Sequence, residues 1–189
     1  MSFGLGFWAA AGAGGQTYEQ IATTVLSSTT SSVTFDVTGL GSTYKHLQIR
    51  AVCRSTTTDS IQSSNGIIFN GVQSGEIYNS HRLFGGDGST VVSEGFTNTN
   101  QGFSNVGVGN GAAANIFGSY VADILDAFST SKFKTVRVLY GAQTNALSRV
   151  GFNSFAYRST DTINSVGIVP RDGFSWVAGS RFSLYGIRG

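Results

Sequence analysis

His46 and His81 are the chain's only histidines, and so its only side chains whose ordinary pKa suits proton transfer near neutral pH. Nucleophilic catalysis needs such a base within reach of a nucleophile. His46 lies in an alternating run opposite Leu47 and Ile49, and His81 falls between Tyr78 and Leu83 beside a glycine-rich turn. No G-x-S-x-G, P-loop, H-E-x-x-H or EF-hand spacing surrounds either one. A surface or hydrogen-bonded structural histidine is therefore favoured at both positions. Asp123 and Asp126 stand three apart. On a strand they face opposite ways and do not converge as a glycosidase pair, whereas on a helix they share a face. A strand-end or turn carboxylate is the favoured reading. Asp87, within Gly85-Gly86-Asp87-Gly88, suits either a calcium site completed by backbone oxygens or an Asx-turn. One cysteine, Cys53, with two histidines falls short of a structural zinc set and rules out an internal disulfide. Tyr78, Tyr157 and Trp176 would stack on sugar rings if exposed. With 14 Phe, 7 Tyr and 2 Trp in the chain, core or interface is favoured for them. The expectation is a protein that is not an enzyme, with no catalytic set, metal or cofactor.

Which elements position these residues follows from composition. Gly reaches 26, Ser 25 and Thr 19, against one Pro. Glycine costs about 1 kcal/mol relative to alanine inside a helix, and Ser and Thr compete there for backbone hydrogen bonds. The mix favours short strands and tight turns. Charged residues make up only 12% and hydrophobic residues 40%, so the chain can bury a core and is not disordered by composition. Its formal charge of +2 implies neither nucleic acid nor an anionic membrane as partner. The densest basic group, Lys132, Lys134 and Arg137, reads as a solvated strand face.

The opening MSFGLGFWAAAGAGG carries no charged side chain but three aromatics, Phe3, Phe7 and Trp8. It lacks the basic region of a signal peptide and is too short and glycine-rich for a membrane span. Residues 1–17 read as an arm joined flexibly through Gly12 to Gly15. Phe3, Leu5, Phe7 and Trp8 are its candidate partner-binding residues, and the alternative is an arm folded back on its own domain.

From Tyr18 onward period two prevails. Val33, Phe35 and Val37 alternate with Thr34 and Asp36, and Gly39 to Ser42 form a turn. Leu47, Ile49, Ala51 and Cys53 point one way, while His46, Gln48, Arg50 and Arg54 point the other. Ile67 to Phe69 end at Asn70-Gly71, a hairpin signal. Residues 85–115 read as two frayed strands with long loops. Ile116–Leu125 is preferred as a strand over a helix spanning Ala113–Phe128. Phe133–Tyr140, Arg149–Tyr157, Thr162–Val169 and Arg181–Ile187 complete the series, with a turn at Pro170-Arg171-Asp172-Gly173. No internal repeat and no linker divides residues 18–189. The expected fold is all-β, an antiparallel β-sandwich of jelly-roll type over 18–189. Leu47, Ile49, Val136, Val138, Phe182 and Leu184 are its expected core.

Several segments, in order, carry a resemblance: Tyr44-Lys45-His46-Leu47-Gln48-Ile49-Arg50, Phe69-Asn70-Gly71, Tyr78 to Gly88, Asp123-Ile124-Leu125-Asp126, Lys134-Thr135-Val136-Arg137 and Gly179 to Ile187. Together they resemble a group of tailed-bacteriophage virion structural proteins, over most of residues 18–189 and at the Ser2–Trp8 opening. The resemblance implies an accessory protein on the outer surface of the particle. It would be a capsid decoration, cement or head-fibre protein, or a tail-fibre receptor- or glycan-binding module. Its partners would be a major capsid protein or a tail or fibre protein, and a homo-oligomer, with a trimer favoured. The resemblance implies no catalytic site and transfers no ligand residues.

Overall fold

A computed structural model describes residues 17–88 and 91–189. Along them run twelve strands: β1 (Tyr18–Val25), β2 (Val33–Asp36), β3 (His46–Cys53), β4 (Ile61–Phe69), β5 (Tyr78–Gly85), β6 (Val92–Thr99), β7 (Gly102–Val108), β8 (Gly118–Leu125), β9 (Lys134–Gln143), β10 (Ser148–Tyr157), β11 (Ser165–Pro170) and β12 (Arg181–Ile187). The only helix among the described residues is a 3-10 turn at Leu40–Ser42. No described helix is long and apolar enough to cross a membrane. The strands form an eight-stranded sheet, β1-β12-β3-β8-β9-β10-β5-β6, and a four-stranded sheet, β2-β11-β4-β7. All named strand pairs are antiparallel. The chain is an all-β, antiparallel sandwich.

Alternation in sequence sets which face each strand buries. β9 reads buried-exposed through Lys134–Ala142, with Val136, Val138 and Tyr140 inward. On β3 the inward set is Leu47, Ile49, Ala51 and Cys53, and on β12 it is Phe182 and Leu184. They meet Val33, Phe35, Ile67, Phe69, Val166 and Ile168 of the smaller sheet in one core. All six residues expected in the core are fully buried, and Cys53 is a buried free thiol. Phe69, Tyr78, Phe155 and Tyr157 pack as an aromatic cluster across the two sheets, with centroids 5.1–6.4 Å apart. Trp176 closes one end. Its indole donates to the Ile168 carbonyl at 3.1 Å, and its ring lies 5.2 Å from Phe182.

Three local expectations are corrected. Asn70-Gly71 does make a turn, with both φ values positive and Val72 N–H donating to the Phe69 carbonyl. β4 and β5 nevertheless do not form a hairpin, because the chain crosses there into the other sheet. Arg54 does not face outward with Arg50, because β3 ends at Cys53 and the next side chain turns inward. Its buried guanidinium donates to Asn110 Oδ1 and to the carbonyls of Ala112, Ala113 and Ile116, at 2.7–3.2 Å, and so holds that loop. Lys134 is likewise buried rather than on a solvated face. Its ammonium is satisfied by the carbonyls of Ser159 and Asp161. Burial lowers its pKa below the ordinary lysine value.

Candidate functional site

The residues first singled out for chemistry do not converge. His46 is on β3 and His81 on β5, with β8, β9 and β10 between them. His46 Nδ1 accepts the Asp126 backbone N–H at 2.8 Å, a structural bond. His81 stands exposed over Gly95, where a Cβ would lie 2.9 Å from its Nε2. Asp123 lies on β8 and accepts Gln48 Nε2 at 2.7 Å. Asp126 sits beyond the strand end with a positive φ and pairs with Lys132 at 3.0 Å. That contact, first the hydrogen bond and then the charge, holds its carboxyl below the ordinary aspartate value. Asp87 fastens the start of β10, accepting from Ser148 Oγ at 3.0 Å and from the Ser148 backbone N–H. Among the described residues no three His, Cys, Asp or Glu group together as metal ligands. Tyr78, Tyr157 and Trp176 are all buried and therefore unavailable for stacking on a sugar. Lys132, Lys134 and Arg137 form no patch, since Lys134 points into the protein while Lys132 pairs with Asp126. Phe3, Leu5, Phe7 and Trp8 lie outside the described residues.

What the fold brings together instead is the outer face of the eight-stranded sheet. Register places Leu83, Phe152, Leu139, Val121, Arg50, Ser183 and Thr23 in one row across seven strands. The row is apolar on β5, β10 and β9. Leu83 is 49% exposed, Phe152 42% and Leu139 61%, and Val150 beside them is 62% exposed. Four such side chains present on the order of 400 Å² together, within the range of the largest apolar patch on a typical monomer, which is often a functional one. Next to Val150, Gly85, Gly86 and Gly141 help floor a hollow of about 530 Å³. A Cβ on Gly141 would meet nothing within 4 Å, so the hollow is open above the backbone.

On β1, β12, β3 and β8 the same face becomes mixed, with Val52 and Val121 among polar and cationic side chains. The rings of Tyr18 and Tyr185 stack at 4.8 Å and 15°, and the Arg50 guanidinium lies 5.3 Å from both centroids. Arg50 Nε donates to Gln48 Oε1 at 3.0 Å, and the same oxygen accepts the Tyr18 hydroxyl at 2.6 Å. Gln48 is held in turn by Asp123. Beside this network a groove of about 460 Å³ is lined by residues that include Gln20, Thr23, Arg50, Arg181, Ser183 and Tyr185.

The alternation rule already placed Arg50 and Gln48 outward. The apolar row was missed because it straddles three strands whose own patterns look unremarkable. Its signal was a hydrophobic residue on the polar phase of each: Leu139 between Val138 and Tyr140, Phe152 between Gly151 and Asn153, and Leu83 beside Arg82. Compared with protein-family models, with curated proteins and with solved structures, the chain gives no match.

Proposed function

We propose that the chain is a non-enzymatic structural protein of the outer surface of a tailed-phage virion, a capsid decoration, cement or head-fibre component that self-associates, as a trimer, and docks through its N-terminal arm. Its connectivity carries the reading. The connections β5–β6, β8–β9 and β9–β10 stay within the large sheet, and at every other connection the chain passes between the two sheets. Without the hairpins β5–β6 and β9–β10 the sheets reduce to β1-β12-β3-β8 and β2-β11-β4-β7. We read that order as an eight-stranded jelly roll, an architecture shared by viral capsid and lectin domains. Architecture alone does not name a function, and the additions supply the second support. The two hairpins extend one sheet by four strands, and the exposed apolar row lies on three of them. Strands added to a complete sandwich, bearing apolar side chains outward, fit a contact surface better than a core.

The arm suits such a contact. Gly4 and Gly6 let its backbone lie close to a partner, while Phe3, Leu5 and Phe7 project to one side if it is extended. The glycine-floored hollow beside Val150 is large enough for an aromatic anchor. The patch alone falls short of the roughly 800 Å² per partner of a standard interface, so arm and face together are required. A second reading, a tail-fibre module that binds glycans, is favoured by the arginine groove on the same face. Imaging of phage particles with this chain labelled tests the proposal. Label on the head shell supports decoration, label on the tail supports the second reading, and particles without label contradict both.

A further inference from the structure

We propose that the groove between Arg50 and Arg181 is a binding site for an acidic saccharide, a sugar bearing a carboxylate. The inference does not depend on a virion location.

Arg50 and Arg181 are diagonal cross-strand neighbours, because Arg50 pairs with Ser183 and Val52 pairs with Arg181. Residues so placed are about 7–8 Å apart on one face, with their Cβ atoms somewhat closer. Two like charges at that spacing repel, yet no carboxylate lines the groove. The nearest acid by register, Asp123, is engaged by Gln48 at 2.7 Å and by Arg137 at 3.9 Å. Arg181 has no partner among the described residues, and neither do the terminal nitrogens of Arg50.

Arg50 is also held in place, unlike an ordinary surface arginine. Its guanidinium lies 5.3 Å from the centroids of both stacked tyrosine rings and its Nε is tied to Gln48 Oε1 at 3.0 Å, which leaves the two terminal NH2 groups for a ligand. A guanidinium ordered in this way forfeits less entropy on meeting a carboxylate, which it can bind through two parallel bonds. Arg181, from the far side of the groove, adds a second positive charge. The rest of the lining selects the ligand's body. Gln20, Thr23, Ser119 and Ser183 offer hydroxyls and an amide, with the Thr23 hydroxyl already donating to Ser183 Oγ at 2.9 Å. Val52 and Val121 give an apolar floor, and Tyr185 a ring edge. An anion with a hydroxylated ring matches this mixture better than a bare oxyanion does. About 460 Å³ falls within the usual range of small-ligand pockets.

The test is calorimetric titration of the full chain with galacturonate, glucuronate and sialic acid oligosaccharides. Neutral lactose, sodium sulfate and a triglutamate peptide serve as comparison probes. Saturable binding of at least one acidic saccharide, weakened by salt and absent for lactose, is expected. Arg50→Ala and Arg181→Ala should each weaken it about tenfold or more at unchanged melting temperature. Arg50→Lys should restore only part, because lysine lacks the fork. Binding to none of the acidic saccharides overturns the proposal, as does binding that both alanine variants retain. Equal affinity for sulfate or triglutamate overturns the assignment to a sugar.

Discussion

Tyr78 ties the two sheets together through its hydroxyl, and removing that one oxygen has a calculable cost. Tyr78 belongs to β5 of the large sheet, but its hydroxyl accepts the backbone N–H of Phe69, the last residue of β4 in the small sheet, at 2.9 Å. It also donates to the Val72 carbonyl at 3.3 Å. Both Tyr78 and Phe69 are fully buried, so water cannot replace the lost acceptor. Tyr78→Phe keeps the ring and its contacts with Phe69, Phe155 and Tyr157. It strands one buried N–H, which costs about 1–3 kcal/mol. For a chain of this size that lowers the melting temperature by about 2–12 °C. Tyr120 is the internal control. Its hydroxyl is buried and meets no hydrogen-bond partner among the described residues. Tyr120→Phe should therefore be neutral within about 0.5 kcal/mol, or stabilising. Thermal and urea unfolding of both variants settles the matter. Equal effects of the two substitutions, or no effect of Tyr78→Phe, would refute the assignment of that hydroxyl as a tie between sheets.

Val138→Asp puts a carboxylate into a fully buried site on β9 and should prevent folding, since an unpaired buried charge costs several kcal/mol; a soluble, cooperatively melting variant would contradict the facing of β9. Stability should fall as pH rises past about 10. Burial first of all raises the pKa of Tyr78, Tyr120 and Tyr140, so unfolded tyrosines ionise near 10 while the folded ones keep their protons. Their contribution is complete below that pH and is lost on the way up to the folded values. Lys134 acts in the opposite sense, because its lowered folded pKa makes stability climb toward the ordinary lysine value, but one lysine is outweighed by three tyrosines. A urea midpoint that holds steady from pH 8 to 11 would contradict this. Removal of residues 1–15 should leave the melting temperature of the domain unchanged while abolishing assembly; a large drop in melting temperature would assign the arm to the core instead.

Strands with strict alternation were legible in the sequence, and the core followed from them: β2, β3, β9 and β12 all bury the residues their period selects. β5 was not legible. Its inward positions run Tyr78, Ser80, Arg82 and Phe84 while Leu83 faces out, so its pattern only partly marks its burial. The reason is location, since β5 lies in the extension where the outer face is apolar and the inner face partly polar. β1 was blurred in the same way, with Val25 exposed at the sheet edge. The preference for a strand over a helix near residue 120 held because Tyr120, Ala122 and Ile124 are inward at period two. The Asn70-Gly71 hairpin failed because a local turn signal cannot say which sheet the next strand joins. The candidate surface was least legible of all. Neither the apolar row nor the arginine groove occupies one segment, and only the register across β5, β10, β9, β8, β3 and β12 assembles them.

The claim that the outer sheet face is a contact surface is tested most directly by light scattering on the full chain and on a Leu139→Asp/Phe152→Asp double variant. Both side chains are exposed, so the substitutions leave the core untouched. The account predicts that the unaltered chain forms an oligomer at tens of micromolar. The double variant should run as the 19.8 kDa monomer with an unchanged melting temperature. An unaltered chain that is monomeric, or a double variant that keeps the oligomer's mass, would contradict it.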